Sequence, residues 1–263
     1  MRKRWIVLLL LSLTLSACGP HHFRVEYRPP QNADLVFYYL AFAFSRWDVT
    51  DLLDEVTRRV ALPQDIPVVF QECGTPNAFY SPARKAIIAC YELPKHIETL
   101  FREVGVQQRL REQGQDVGFI TWSALVHALF HEIGHGLIDM YDLPVTGREE
   151  DAADQFSTFL LLQVAPRGGG AMAIASAAGF FLTAYAYFEA HGEVGELPFW
   201  SEHGLNKQRY YNLLCWLYGS DPVSYAFIAN EGHLPQDRAV RCPEETAQLV
   251  RSWTQLLGKR LRQ

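Results

Sequence analysis

The sequence predicts an α+β protein, with a small, mostly antiparallel sheet over one long apolar helix and a mainly helical C-terminal part. Three observations predict it. Short runs of β-branched and aromatic residues, at 66–71, 77–80 and 85–90, are confined to the first third of the chain. Apolar residues at helical spacing dominate almost everything after Leu93. A chain of 263 residues that is 49% hydrophobic and 13% aromatic can build a sizeable core.

The elements follow in order. Arg2, Lys3 and Arg4 precede an apolar stretch at 6–15 and the small residues Ser16 and Ala17, which is the layout of an export signal over residues 1–17. The stretch is short for a permanent membrane span. Residues 18–33 contain Gly19, Pro20, Pro29 and Pro30 among polar residues and read as a tether, His21 and His22 included. One domain then covers residues 34–263. Leu52, Leu53, Val56 and Val60 recur at helical spacing over 49–61, and Pro63 closes that helix. A strand at 66–71 is followed by a hairpin whose turn is Ser81-Pro82-Ala83-Arg84.

Residues 93–113 read as one helix and 121–140 as a second, strongly apolar one. Thr146-Gly147-Arg148-Glu149 has the capping-box form and opens a third helix, which runs to about Val164. The run 171–188 is long enough to cross a membrane. Its alanines and dispersed hydroxyls (Ser176, Thr183, Tyr185, Tyr187) suit a helix packed in a soluble core better. Helices broken near Ser220-Asp221-Pro222 complete the chain.

Charge and cysteines narrow the partners. The formal charge is −5, and no basic patch is interleaved with aromatics, so nucleic acid is not an expected partner. With Cys18 set aside, Cys73, Cys90, Cys215 and Cys242 remain, an even number that suits two disulfides in an exported chain. Of three pairings, Cys73–Cys90 and Cys215–Cys242 are favoured because each pair lies close in sequence. A four-cysteine zinc site would lack C-x2-C spacing.

The chemistry centres on His131-Glu132-Ile133-Gly134-His135, an HExxH motif inside a predicted helix. Positions i and i+4 differ by only about 40° around a helix, so both imidazoles leave one face and can grip one zinc ion. Glu132 lies between them, where it can serve as a general base on water that the ion activates. An incidental pair of histidines on a core helix would need other partners to offset burial. A catalytic zinc takes a third protein ligand. In Glu150-Asp151-Ala152-Ala153-Asp154, Glu150 and Asp154 share a face. Glu150 can bind the ion while Asp154 accepts the second ring N–H of a ligand histidine. The competing reading is an acidic first turn favoured by the helix dipole. The capping box would occupy Glu149 and leave Glu150 free. His127 shares the face of His131 and reads as a core histidine, and His96, His191 and His233 carry no spacing signal.

Several blocks resemble known families. HExxH followed by E-x-x-A-D resembles the gluzincin pattern of thermolysin-like and several membrane-associated zinc peptidases, which implies a zincin-like fold. Asn77-Ala78-Phe79-Tyr80, HEIGHGLIDMYDLP at 131–144 and GREEDAADQF at 147–156 look like a bacterial family of exported metallopeptidases, over most of residues 65–220. Asn77 and Ala78 also resemble an edge-strand motif to which an extended substrate adds as a strand; a plain hairpin strand is the other reading. By the thermolysin-like resemblance, a downstream His and Tyr stabilise the oxyanion. His203 is the candidate, with Tyr210 or Tyr211 behind it, although the downstream spacing departs from the family's. Leu15-Ser16-Ala17-Cys18 resembles the lipobox of bacterial lipoproteins, which implies a lipid on Cys18 and a place in the cell envelope, facing the periplasm or the cell surface. These readings converge on a zinc-dependent peptidase with a peptide or protein substrate and a lipid-anchored contact with the membrane. The alternatives are a non-catalytic zinc-binding assembly or chaperone lipoprotein, and a hydrolase of a non-peptide bond.

Overall fold

The structure, a computed structural model, describes residues 20–44, 49–112, 114–164, 169–192 and 199–262. The signal segment 1–17 and Cys18 lie outside the described residues. Strand β1 (Phe23–Tyr27) is followed by helices α1 (Val36–Ala43) and α2 (Thr50–Arg59) and strand β2 (Ile66–Gln71). The hairpin β3 (Ala78–Ser81) and β4 (Ala86–Cys90) comes next. Helices α3 (Glu92–Glu103), α4 (Val106–Glu112), α5 (Val117–Tyr141), α6 (Glu149–Val164) and α7 (Gly169–Ala190) follow. The chain ends in α8 (Asn206–Ser220), two short helices α9 (Ala226–Asn230) and α10 (Gln236–Ala239), and α11 (Cys242–Leu257).

The sheet corrects two expectations. It is mixed, in the order β1-β2-β4-β3, and only β3–β4 is antiparallel. β1 runs parallel to β2, from Phe23 opposite Ile66 to Tyr27 opposite Phe70. The reason is the crossover: α1 and α2 between the two strands return the chain to the end of the sheet where it started. β2 and β4 are parallel because the chain doubles back through β3 before entering β4. The second correction concerns the tether, since residues 23–27 form β1. Phe23, Val25 and Tyr27 are half-buried while Arg24 and Glu26 face solvent, the alternation of a strand with one covered face. Flanking prolines and histidines hide this five-residue signal.

Other boundaries moved for local reasons. The helix expected at 93–113 is two helices, broken at Gly105 with φ +73°. α5 starts before Thr121 because the Asp116 side chain accepts the Gly118 N–H and caps it. It ends where Asp142 turns left-handed and the Leu143 N–H returns to the Ile138 carbonyl. α6 begins at Glu149 and the Ala152 N–H bonds the Arg148 carbonyl, so Arg148, not Thr146, occupies the cap position.

The long helix α5 lies under β3 and β4 and packs on α6 and α7, while α8 covers α7 and α11 covers α8. Apolar residues of both layers form one main core, from Phe42, Phe70 and Tyr91 near the sheet to Phe156 and Trp253 between helices. α7 is long and apolar enough to cross a membrane, yet Ala173, Ile174, Ala177, Ala178, Phe181 and Ala184 are buried among the other helices. The sulfurs of Cys73 and Cys90 are bonded, tying the end of β4 to the chain just beyond β2, and Cys215–Cys242 ties α8 to the start of α11. Disulfides closing loops of this length contribute about 3 kcal/mol each.

Candidate metal centre

Two helices build the centre because nothing stands between them at one position. A Cβ on Gly134 would lie 3.3 Å from the Ala153 Cα and 3.1 Å from the Phe156 ring. With hydrogen there, α6 closes against α5, and its first two turns face the HExxH face.

His131 and His135 then aim their Nε2 atoms at one spot, 3.0 Å apart. Glu150 reaches the same spot, with Oε2 3.0 Å from His131 Nε2 and Oε1 3.5 Å from His135 Nε2. The other nitrogens are spoken for: His131 Nδ1 lies 2.8 Å from Asp154 Oδ1, and His135 Nδ1 lies 2.7 Å from Glu149 Oε1. An ionised carboxylate only accepts, so each Nδ1 carries the proton. In the neutral rings both Nε2 lone pairs therefore face each other and a carboxylate. Three acceptors at one point repel unless a proton or a metal cation lies among them. Ligand atoms on a tetrahedral zinc at about 2.0–2.1 Å would sit roughly 3.3 Å from one another, close to the spacing seen. The residues fit such an ion, and the donor set of two imidazoles and one carboxylate is that of many catalytic zinc sites.

Electrostatics agree with a site built for positive charge. Burial pushes the Glu150 and Asp154 carboxyls up, but hydrogen bonds from His131, His135 and His203 hold Glu150 well below the usual range. The Arg209 charge and the His131 bond do the same for Asp154. Burial opposes a proton on His131, yet Asp154 and Glu150 outweigh it and lift the imidazole to about 9. His135 is raised for the same kind of reason, by Glu150 and Glu149. Glu132 moves the other way for a carboxylate: burial pushes it up, against the pull of His131, His135 and the Tyr80 amide. An upward shift makes the carboxylate a better proton acceptor.

Three partners had no sequence signal. The Tyr80 N–H donates to Glu132 Oε2 at 2.7 Å, so the sheet edge holds the carboxylate of the helix. Arg209, on α8, donates to both Asp154 oxygens at 2.8 and 2.7 Å and lies over the Phe181 ring. Glu149, read as a capping residue, instead holds His135. It is the first residue of its helix, and from there it reaches across to α5. No motif spacing tied these residues to their partners, which lie 52, 55 and 14 residues away along the chain.

The remaining site residues fall as follows. His203 Nε2 is 2.8 Å from Glu150 Oε2, its ring parallel to that of His131, and about half of its side chain is exposed at the mouth. Tyr210 does not stand behind it, since its hydroxyl donates to the His233 carbonyl. Tyr211 lines a separate pocket with Arg238 and Arg241. Asn77 and Ala78 line a cleft of about 880 Å3 together with Glu132, His135, Glu150 and His203. β3 is the edge strand, and its Tyr80 N–H points away from β4. By the strand's two-residue period, Ala78 presents its backbone groups at the same outer edge. His127 is buried near the centre without joining it. His96, His191 and His233 do not line the cleft.

A family model described as "Putative metallopeptidase" matches residues 43–257. Nothing among the curated proteins and nothing among the solved structures matches the chain.

Proposed function

Because the chain belongs to that metallopeptidase family, we propose that it is a zinc peptidase of the bacterial cell envelope, holding one ion with His131, His135 and Glu150. The observation that carries this reading is the convergence of three acceptor groups within 3.0–3.5 Å of one another, beside a buried carboxylate and an open cleft. Zinc, when bound, supplies a Lewis acid that acidifies water and polarises a carbonyl.

The chain's own residues divide the remaining work. Glu132, held by the Tyr80 amide, takes the proton from the attacking water and returns it to the leaving amine. Asp154 and Glu149 keep each Nδ1 protonated and each Nε2 free for the ion. The outer edge of β3 at Ala78 can pair with an extended peptide and hold its scissile bond over Glu132. His203, at the mouth beside Glu150, would donate to the oxyanion. A lipid on Cys18 would anchor the domain to the membrane.

The test pairs metal analysis of the purified chain with digestion of an unbiased peptide library. Wild type is expected to carry about one zinc and to cleave, whereas Glu132→Gln should keep the zinc and lose at least about 100-fold in turnover. An equally active Glu132→Gln chain would rule out the assigned mechanism. If that variant also replaced wild type fully in the host, the non-catalytic binding role would be favoured.

A further inference from the structure

Beside the centre lies a second, smaller cavity, bordered on one side by His131 and Glu132. Its volume is about 120 Å3, and it sits between α3, α5 and α7, walled by Ile97, Ala124, Ala128, Ala177, Phe180 and Phe181. Asn77, Ala78 and Glu132 border both this cavity and the cleft, so the two meet under the edge of β3. Asn77, His131, Glu132 and Arg209 also line the cavity, and so does His127. His127 is 2% exposed, lines the cavity, and its Nε2 has no hydrogen-bond partner among the described residues. Leaving a buried imidazole nitrogen unpaired is costly, on the scale of a lost hydrogen bond. A ligand group that enters the cavity and bonds it would recover that cost.

We propose that this cavity is a side-chain subsite, and that His127 makes it select a neutral residue with a short apolar body and a hydroxyl or carboxamide head, such as Thr or Asn. Size sets the first limit: a cavity of roughly 150 Å3 takes a benzene ring, so this one excludes the larger aromatic side chains. Charge sets the second. A cationic side chain would face Arg209, and a carboxylate would face Glu132. Isosteric apolar residues fit the space but leave His127 unpaired, and polar pockets reject such analogues more strongly than apolar pockets reject an added group. A peptide lying along β3 would deliver one of its side chains here, close to the bond presented to Glu132. The selectivity rests on the peptidase reading for its catalytic consequence, but binding alone reports it.

Two arms test the subsite. In the first, the zinc-loaded chain and its His127→Leu variant digest the same randomised peptide library. In the second, Glu132→Gln and Glu132→Gln/His127→Leu are titrated by fluorescence anisotropy with extended peptides in which Thr or Val stands at each position in turn. We expect Thr over Val by about tenfold at one position in both arms, and a ratio near one with His127→Leu. Ala128→Leu, which fills the cavity from its half-exposed wall, should abolish acceptance of either residue. If circular dichroism shows His127→Leu unfolded, His127→Gln replaces it and should retain part of the preference. Binding selectivity without cleavage leaves the subsite standing and removes the peptidase. Cleavage or binding with Val equal to Thr, or a preference that survives His127→Leu, overturns the subsite alone. Neither cleavage nor binding of any peptide overturns both.

Discussion

At the residue scale, the centre depends on carboxylates that hold imidazoles. Asp154 bonds His131 on one side and Arg209 on the other, so its charge is fixed and its direction is set. Asp154→Asn removes the charge, lets the ring turn and strands Arg209. It should lower zinc affinity about 10–100-fold, measured by competition with a chromogenic chelator; unchanged affinity would show that His131 needs no such support. His127 gives a pH signature instead. Burial pushes it down to about 3, against about 6.5 in an unfolded chain. Between those values the unfolded chain binds a proton that the folded chain refuses, so folding stability is full above pH 6.5 and declines as pH falls towards 3. Urea melts at pH 7 and pH 4.5 should therefore differ less for His127→Leu than for wild type. The same pH dependence in both would contradict the assignment.

At the element scale, two approaches set the geometry. α5 and α6 touch at Gly134, and α5 meets β3 at Gly136, where a Cβ would lie 3.3 Å from the Tyr80 ring. The first contact brings Glu150 to the histidines and the second brings the Tyr80 amide to Glu132. Gly134→Leu would wedge α6 away. The expected cost is about 1–3 kcal/mol of stability, with loss of stoichiometric zinc because Glu150 no longer reaches. A thermal melt together with metal content checks this, and full zinc loading in a folded variant would mean that α6 does not need this contact. The HExxH helix was legible because its apolar residues recur at helical spacing over more than five turns. The parallel pairing of β1 was not, because pairing direction depends on the path of the crossover between strands rather than on the strand's own residues.

At the scale of the whole molecule, the helical layer, the mixed sheet and two disulfides form one frame around the centre. The disulfides pair in the way that sequence proximity suggested, one on the sheet and one between α8 and α11. The proposed lipid anchor makes one further demand: Cys18→Ser should move the chain from the membrane fraction to the soluble fraction and remove the lipid mass, and unaltered partition would count against the anchor.

By itself the sequence determined what local periodicity can carry: most of the helices, though neither α1 nor the break at Gly105, the hairpin, the common face of His131 and His135, and the set of carboxylates within reach. It assigned Glu150 to the ion and Asp154 to a ligand imidazole, but could not determine which imidazole Asp154 meets or that Glu149 takes the other. Glu149 takes His135, Glu150 enters the centre and Asp154 holds His131 because α6 starts at residue 149 and leans on Gly134. Arg209 and the Tyr80 amide joined from elements 55 and 52 residues away from their partners. Such pairings follow from helix and sheet packing, whose contacts lie far apart along the chain, and only the tertiary structure decides them.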